Sequence, residues 1–339
     1  MQTEPLVSVI IVNFNGKKYL KNCLDSLYQG SYKNIEIIFV DNGSKDASVE
    51  FIKDNYKGVT VVALEDNLGL SVASNRGSRA AKGKYLFFYN NDTIADINMI
   101  ASLTGELESN PGIGIAGCKT YTYDGKRLIN AGVPCDIFGY PYAKAAPFYV
   151  DAGIFIRKDL FEGLGGFDEK MFLYGEDRDI CWRCWLSGYS VEVSAGAKFF
   201  HDSACITGNL GEYRTNINKR FWSEFNALRS ILKNYGAFSI LLILPWYTAI
   251  NLGEVLLFLL MGKADIVKDA YLRSYVQNLK LIKNTLLERK KIQRARAVSD
   301  WEIILRLDKI SGKARLLFDM GIPRFSASSN CALSALAQK

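Results

Sequence analysis

The sequence is poor in the features that mark small secreted, disordered or fibrous proteins. Its 339 residues include only seven prolines and no repeat or low-complexity tract, which excludes a disordered or fibrous chain. Seven cysteines, an odd number spread along the chain, do not suit a disulfide scaffold. No basic residue precedes the first apolar run, so we expect no signal peptide and a reducing cytoplasm. With 49% hydrophobic and 23% charged residues, the chain is typical of a folded protein of one large domain or two.

Short apolar runs alternate with helical patterns in the first 90 residues. Strands are predicted at 6–12, 35–40, 59–64 and 84–89, and helices at 17–28, after Ser44 and after Gly69. Regular alternation of strand and helix predicts right-handed crossovers and a parallel sheet. Ligands of such a sheet bind beyond the carboxyl ends of its strands. The residues to consider are therefore Asn13 to Gly16, Asp41 to Ser44, Glu65 to Gly69 and Asn90 to Thr93.

The pattern is less regular after residue 96, and two motif matches there are judged to be chance. Further elements are predicted as a helix at 97–109, strands at 113–123 and 149–156, a helix at 177–187 and a strand ending at His201. Gly112 to Gly117 fits GxGxxG, but it follows a helix and is itself a predicted strand, whereas a dinucleotide site needs the reverse order. Cys181 and Cys184 fit CxxC inside a helix, which favours buried cysteines over a zinc or redox site.

Three acidic or basic groups are candidates for chemistry. Asp92 follows the fourth strand, where its carboxylate suits Mg²⁺ or Mn²⁺ bound to a diphosphate, although a turn capped by Asp92 or Asp96 fits equally well. Glu176 and Asp177 are adjacent at a predicted helix start, so one can raise the pKa of the other and make a general base, while helix capping is the alternative. His201 is the only histidine, and a lone histidine is more often structural than a ligand.

Five stretches in order resemble the family 2 glycosyltransferases, which are inverting nucleotide-sugar enzymes with a GT-A fold. They cover about residues 6–205 and are VSVIIVNFNGKKYLKNCLDSL, VDNGSKDAS, NLGLSVASNRGSRAAKGKYLFFYNNDT, GGFDEKMFLYGEDRDICWRCWLSGY and HDS. The sequence is most similar to bacterial and archaeal enzymes that build surface polysaccharide or lipid-linked oligosaccharide, including rhamnosyltransferases. We expect an α/β GT-A domain, Rossmann-like, at 1–225, a helical membrane-associating region at 226–325 and a disordered tail at 326–339.

The resemblance implies a donor-binding role for several matched positions. Asp41, with Asn13 nearby, would contact the nucleotide base or ribose. Gly69 and Asn75 would shape the donor site, and Asn91 would lie beside it. The segment from Asp151 to Gly153 resembles one that lines the sugar.

The resemblance also implies a metal site and a base. Asp92 matches the last residue of the DxD motif, whose cation, Mg²⁺ or Mn²⁺, would bridge the diphosphate. Asn90 replaces the first Asp, which puts the usual ribose contact of that residue in doubt. Asp177 matches the general base, with Glu176 as its neighbour. His201 matches a histidine that in some relatives joins the metal or the diphosphate.

The expected reaction is metal-dependent transfer of a hexosyl or deoxyhexosyl unit with inversion. The donor would be a UDP-, dTDP- or GDP-linked sugar, and the acceptor a hydroxyl of a glycan, expected to be lipid-linked. Sugar transfer needs a neutralised leaving diphosphate and a base for the acceptor proton, and the carboxylates above suit both tasks. The alternatives are a catalytically silent GT-A-fold binding protein and a nucleotidyltransferase that uses nucleoside triphosphates. Sugar, linkage and oligomeric state stay open.

Positive charge is concentrated directly after an apolar stretch. Residues 263–315 hold 14 Lys and Arg against six Asp and Glu, while the whole chain carries +7. Residues 237–262 are long enough to span a membrane, but a single span would put the basic residues opposite a cytoplasmic catalytic domain. Pro245 and Glu254 predict a broken or re-entrant pair of helices, or one in-plane helix, with 283–296 against anionic headgroups.

We therefore expect the cytoplasmic face of the cell membrane, with an anionic membrane surface as a partner. Nothing that resembles a nucleic-acid recognition module accompanies the basic segment, so no nucleic-acid partner is expected. A buried helix of a soluble domain, or of a dimer interface, is the alternative interpretation of residues 237–262.

Overall fold

The computed structural model describes residues 4–202 and 214–325, and these form two compact units. The first unit comprises residues 4–132, 149–173 and 189–202. The second comprises residues 133–148, 174–188 and 214–325. The predicted disordered tail at 326–339 and Ser203 of the HDS motif lie outside the described residues.

Nine strands of the first unit form one sheet. They are β1 (Val7–Asn13), β2 (Ile35–Asn42), β3 (Thr60–Leu64), β4 (Tyr85–Asn90), β5 (Thr93–Ala95), β6 (Ile113–Thr122), β7 (Leu128–Asn130), β8 (Gly153–Arg157) and β9 (Ser190–His201). Their order is β3-β2-β1-β4-β8-β6-β9-β5, and β7 pairs with β6. The four predicted N-terminal strands are present, and each begins or ends within two residues of its prediction.

The sheet is parallel in its first half and mixed in its second. Strands β1 to β4 pair in parallel, as predicted, and the central ones are buried along almost their whole length, which explains their continuous apolar runs. Strand β8 runs antiparallel between β4 and β6, and β5 runs antiparallel to β9. The prediction of a parallel sheet therefore holds for the first four strands but not for the sheet as a whole.

Four of the five described helices of the first unit are predicted from the sequence, and the short one at 158–163 is not. They are α1 (Lys17–Gln29), α2 (Ser48–Asn55), α3 (Leu70–Ala80), α4 (Met99–Ser109) and α5 (Lys158–Gly163). In α1 the buried apolar residues Leu20, Cys23, Leu24 and Leu27 recur at helical spacing and face the sheet core. Gly112 to Gly117 lies in β6 after α4, so the rejection of the GxGxxG match is confirmed.

The second unit is mainly helical. Its elements are α6 (Glu176–Leu186), α7 (Ile217–Asn234), α8 (Ala237–Leu260), α9 (Ala264–Ile266), a π-helical segment (Val267–Leu272), α10 (Arg273–Lys280), α11 (Ile282–Ala295), α12 (Asp300–Arg306), α13 (Gly312–Met320) and the short pair β10 (Arg214–Thr215) and β11 (Arg324–Phe325). The predicted break at Pro245 is wrong, since α8 is one helix. Ile243 and Tyr247, on either side of that proline, are both buried, and this packing holds the helix together across it.

Residues 133–148 and 174–188 group with the C-terminal helices instead of the sheet. Trp182 packs edge-on against Phe148 and Tyr235, with ring centroids 5.8 and 4.8 Å apart. The buried Asp179 carboxylate also pairs with Lys233 at 3.1 Å. A functional boundary near residue 225 stays a prediction, but the compact units do not follow it.

Candidate active site

Side chains from three adjacent strand ends meet at the carboxyl edge of the parallel sheet. Asn13 lies opposite Asp41 in the register, and β4 ends on the other side of β1. The Asn13 amide donates to Asp41 Oδ1 at 3.3 Å and to Ser44 Oγ at 3.1 Å. Asn13 Oδ1 accepts from the Asn91 amide at 2.7 Å. Three predicted donor-site residues are thus joined through Asn13, which is fully buried.

Gly16 is needed for this arrangement and was not singled out among the residues after β1. A Cβ at position 16 would lie 2.2 Å from Asn91 Nδ2 and 2.6 Å from Asn13 Oδ1. Any side chain there would therefore disrupt the hydrogen bond between Asn13 and Asn91. The signal in the sequence is a glycine directly after Asn15, a residue that itself has a positive φ of 51°.

Asp92 and His201 are brought together at the same edge. Asp92 Oδ1 lies 3.2 Å from His201 Nε2, and both residues are buried. The pairing of Thr93 with His201, in β5 and β9, fixes this approach. Asn98 is the N-cap residue of α4, so Asp92 does not cap that helix. Of the two interpretations of Asp92, the capped turn is the one that this geometry does not support.

Asp151 adds a second, half-buried carboxylate near His201. Its Oδ1 accepts from the Asn130 amide at 3.2 Å, and burial raises its pKa. Burial alone would lower the pKa of His201, but the carboxylates of Asp92, Asp151 and Asp202 outweigh it and raise that pKa above its usual value. The local field is therefore strongly negative and favours a positive charge.

Gly153 begins β8 beside the end of β4. It pairs with Tyr89, and a Cβ at position 153 would lie 3.1 Å from the Phe199 ring. The resemblance predicts that this segment lines the sugar. The geometry puts it next to Asp151 but shows a packing reason for glycine at position 153, so the sugar contact stays a prediction.

A surface pocket of about 420 Å³ opens beside His201 and Asp202. The turn between β6 and β7 contributes Lys126 and Arg127 to its lining. Cationic side chains next to a cluster of carboxylates are the usual surroundings of a site that binds a phosphate through a cation.

Gly69 and Asn75 hold another part of the first unit together. Asn75 Nδ2 donates to the Phe167 carbonyl at 2.9 Å, and its Oδ1 accepts from the Phe167 N–H at 2.9 Å. Gly69 has a φ of 89°, and a Cβ there would lie 2.6 Å from the Phe172 ring. Both residues thus bind α3 to the segment 167–172. No described contact joins either of them to the cluster around Asn13, and their donor contact stays a prediction.

The acidic pair of the second unit lies at the start of α6. The N-cap residue is Gly175, which has a φ of 94° and no side chain, so neither Glu176 nor Asp177 is the N-cap. Asp177 is half-buried and its Oδ1 accepts from the Arg178 N–H at 3.1 Å. The positive end of the helix dipole favours an anion at this position.

Glu176 is the unusual member of that pair. Glu176 is buried, and its Oε2 has no hydrogen-bond partner among the residues that the structure describes. Burial, followed by the charge of Asp177, raises the pKa of Glu176 to about 8. Glu176 is therefore protonated at neutral pH, which leaves Asp177 as the negative member of the pair.

The remainder of α6 is structural. Asp179 Oδ2 pairs with Arg183 Nε at 2.9 Å and with Lys233 Nζ at 3.1 Å. Cys181 and Cys184 lie inside α6 and are fully buried, which confirms the interpretation of the CxxC match as buried helix cysteines.

Asp92 and His201 fit a divalent cation that also binds phosphate oxygens. Within residues 4–202 and 214–325 no group of three or more His, Cys, Asp or Glu side chains is arranged as a metal site. Magnesium and manganese often take only one or two protein ligands when a phosphate and waters complete the shell. The carboxylate of Asp92 and the imidazole of His201, which lines the pocket, provide two such ligands.

Comparison with known proteins matches the N-terminal half of the chain to one family. Residues 8–165 match the family model described as Glycosyl transferase family 2. The uncharacterized glycosyltransferase EpsJ of Bacillus subtilis is 36% identical over 36% of this chain and 36% of its own length. An uncharacterized glycosyltransferase of Rickettsia typhi is 29% identical over 67% of this chain and 71% of its own. The O-antigen biosynthesis protein RfbC of Myxococcus xanthus is 25% identical over 58% of this chain and 17% of its own length. The chain thus spans about a third of EpsJ.

Two solved structures share the fold. S. aureus TarS 1-349 in complex with UDP has a TM-score of 0.51 and 16% identity, covering 67% of this chain and 66% of that one. GalNAc-T7 with UDP, GalNAc and Mn²⁺ has a TM-score of 0.56 and 18% identity, covering 70% of this chain and 50% of that one. At such identities the likeness shows the fold alone, which is GT-A-like.

Proposed function

We propose that this chain, whose residues 8–165 are a family 2 glycosyltransferase domain, transfers a sugar from a nucleotide-sugar donor to a hydroxyl of a glycan. The coarse class, glycosyltransferase on a GT-A-like fold, follows from the domain and its named relatives. The observation that carries the rest is the strand-end cluster of Asn13, Asp41 and Asn91 with Asp92 and His201 beside the pocket.

The donor nucleotide is assigned to the cluster around Asn13. The amide of Asn13 holds Asp41 in place, and Asp41 Oδ2 also accepts from the Ser44 N–H at 2.9 Å. A carboxylate fixed in this way can accept hydrogen bonds from a base or a ribose with little loss of entropy. UDP is bound in the two fold neighbours, which supports a uridine nucleotide here, with dTDP and GDP donors as the other candidates.

The diphosphate is assigned to Asp92 and His201. A divalent cation bound there, Mg²⁺ or Mn²⁺, would neutralise the charge that develops on the leaving diphosphate. Asp92 supplies a buried carboxylate oxygen and His201 an imidazole nitrogen, and Asp151 keeps the surroundings negative. Lys126 and Arg127 line the neighbouring pocket and are suited to phosphate oxygens.

The general base is assigned to Asp177. It is half-buried, and its neutral neighbour Glu176 leaves it as the single charge of the pair. A carboxylate that takes the proton of the acceptor hydroxyl accelerates transfer by about 10²–10⁴-fold. Inversion at the anomeric carbon follows the family resemblance and is tested by the anomeric configuration of the product.

The acceptor is assigned to a lipid-linked saccharide at the cytoplasmic face of a membrane. A relative named for O-antigen biosynthesis supports polysaccharide assembly. The second unit exposes many large apolar side chains, among them Phe238 at 74% and Leu260 at 78%, which supports a membrane location.

The experiment is a donor screen on the full chain with UDP-, dTDP- and GDP-sugars, with and without Mn²⁺ or Mg²⁺, and with membrane lipid extract as acceptor. We expect release of nucleoside diphosphate from one donor, dependent on metal and lost in Asp92→Ala and Asp177→Asn. Asp96→Ala is the control, since Asp96 accepts from the Asn98 N–H and pairs with Lys198 outside the cluster.

The same screen separates the alternatives. Binding of a donor without turnover under every condition would favour a catalytically silent binding protein. Release of pyrophosphate from a nucleoside triphosphate mixed with a sugar phosphate would favour a nucleotidyltransferase.

A further inference from the structure

Helix α8 has an outward face that is entirely apolar. The outward residues include Phe238, Leu241, Trp246, Leu252, Leu256 and Leu260, which are 58% to 78% exposed. At about 100° per residue these side chains fall within an arc of roughly 140°. No Asp, Glu, Lys or Arg lies on this arc. Exposed apolar area of this extent on one helix marks a surface that is covered in the working protein.

The opposite face of α8 packs on the second unit and carries polar groups that are bonded to it. Asn251 Oδ1 and Glu254 Oε2 both accept from Lys313 Nζ, at 2.5 and 2.7 Å. The hydroxyl of Tyr271 donates to Glu254 at 3.0 Å, and that of Tyr275 lies 3.1 Å from the Asn251 amide. Lys313 and Arg220 lower the pKa of Glu254 against the effect of burial, so this carboxyl is charged.

These two faces bear on how α8 can meet a bilayer. By length and composition α8 could span a membrane, and only 17% of its most apolar window is buried. A span would surround the helix with hydrocarbon and would expose Asn251 and the charged Glu254 near the bilayer core, away from Lys313 and Tyr271. A helix that lies in the interface plane keeps the inner face on the protein and buries only the outer one.

We propose that α8 is an in-plane membrane anchor whose outward face inserts into one leaflet of an anionic bilayer. The inference deepens the membrane part of the proposed function and rests on it. The protein stays on one side of the membrane, and the polar inner face is never exposed to lipid.

The exposed surface from Leu272 to Lys290 carries leucines and lysines and favours an anionic lipid surface. Leu272, Leu279 and Leu286 recur every seven residues and are 54% to 69% exposed. Lys280, Lys283 and Lys290 alternate with them and are also exposed. Interleaved leucine and lysine is the surface that suits apolar chains beneath anionic headgroups, whereas an interface with a second copy of this chain would place these lysines against each other.

The first experiment measures binding of the full chain to vesicles by flotation. Vesicles of phosphatidylcholine with phosphatidylglycerol are compared with vesicles of phosphatidylcholine alone. We expect Leu241→Glu and Leu256→Glu each to weaken binding by about tenfold or more, because each removes an inserted side chain. The matched control is Ile97→Glu, an apolar residue that is 57% exposed in the first unit.

The contribution of the lysines to vesicle binding is tested with the triple variant Lys280→Glu, Lys283→Glu and Lys290→Glu. We expect a loss of about 100-fold on anionic vesicles and little change on neutral ones. The control triple reverses Lys33, Lys53 and Lys57, which are exposed in the first unit. Equal losses in both triples would show only an effect of net charge and would overturn the specific surface.

The second experiment distinguishes lying from spanning by tryptophan depth. Trp246 is 70% exposed near the middle of α8. The substitution Trp301→Phe removes the other exposed tryptophan, so that Trp246 is the exposed reporter. Phe238→Trp and Leu260→Trp, each with Trp246→Phe and Trp301→Phe, report the two ends. Quenching by lipids brominated at shallow and deep positions should place all three at one shallow depth, about 5–10 Å into the headgroup boundary.

A span predicts a different profile. The 24 residues of α8 would cross about 36 Å, so Trp246 would be quenched best by the deepest bromines and the two ends by shallow ones. That profile overturns the proposal, as does a lack of binding to anionic vesicles, or concentration-dependent dimers in which Trp246 is shielded without lipid. Donor binding is measured on each variant, so that failure of the anchor and failure of the transferase assignment are separated.

Discussion

Buried charge is unbalanced at the sheet edge of the first unit and balanced in the cluster around Lys313 of the second. At the sheet edge, Asp92 and Asp151 surround the lone His201, and the excess is negative. In the helical unit, Lys313 Nζ contacts Glu224 at 2.6 Å and Glu254 at 2.7 Å, and Arg220 adds a second cation 3.2 Å from Glu224. Two cations there meet two carboxylates.

The difference separates a site from a scaffold. A buried charge without a counterpart is costly unless a ligand supplies that counterpart, whereas a paired cluster is complete without one. Helix α6 shows both cases within four residues. Asp179 is paired with Arg183 and Lys233, while Glu176 avoids its charge by taking up a proton.

Asp177→Asn should cause the largest loss of activity. We expect kcat to fall by about 10²–10⁴-fold, because the base is lost while its volume and burial are kept. Donor affinity and the free energy of unfolding should hardly change. The matched control, Asp179→Asn two residues on, should instead destabilise the protein, since it leaves Arg183 and Lys233 buried without their partner. Equal loss of stability in both variants would contradict the separation.

Asp92→Ala should have the next largest effect on activity. We expect kcat to fall by about 10²–10³-fold and the Mn²⁺ concentration for half-maximal rate to rise, because a carboxylate that holds the cation is removed. Thermal stability without metal should stay the same or rise, since the negative excess at the sheet edge is relieved. A variant that keeps its metal dependence unchanged would remove Asp92 from the cation site.

Local pattern was enough to predict the first unit up to the end of β4. Its central parallel strands, β1 and β4, are buried on both faces and are therefore continuous apolar runs, and polar residues after them mark the strand ends. The cluster of Asn13, Asp41 and Asn91 could be predicted as neighbours for that reason. The hydrogen bond between Asn13 and Asn91 could not, because it depends on the absence of a Cβ at Gly16.

The second unit was less predictable because its partners are far apart in the chain. Lys313 lies in a basic segment, and nothing in the local pattern separates it from the exposed lysines around it. Its burial depends on Glu224 and Glu254, which are on other helices. Likewise, Pro245 and Glu254 left a broken or re-entrant pair of helices and one in-plane helix as alternatives. In the structure α8 is one helix, with Ile243 and Tyr247 buried on either side of the proline and Glu254 bonded to Lys313.

Lys313→Met should destabilise the paired cluster of the second unit. We expect the free energy of unfolding to fall by about 3–5 kcal/mol, because Glu224 and Glu254 are left buried without their shared cation. Urea denaturation measures this, and donor binding by the folded fraction should be unchanged. Adding Glu254→Gln to Lys313→Met should recover part of the loss. No recovery would mean that shape, and not charge, dominates at this cluster.

Glu176→Gln should change activity least, and its effect appears in the pH dependence of stability. The pKa of Glu176 is about 8 in the folded chain against a usual value of 4.5, so the folded state binds this proton more tightly than the unfolded state. Its contribution to stability is full below about pH 4.5 and is lost as the pH rises towards 8. Wild type should therefore lose stability relative to Glu176→Gln across that window, by up to about 1.4 kcal/mol per pH unit. Parallel curves for the two proteins would mean that Glu176 is already charged when folded, and that the charge on Asp177 is not the only one at the start of α6.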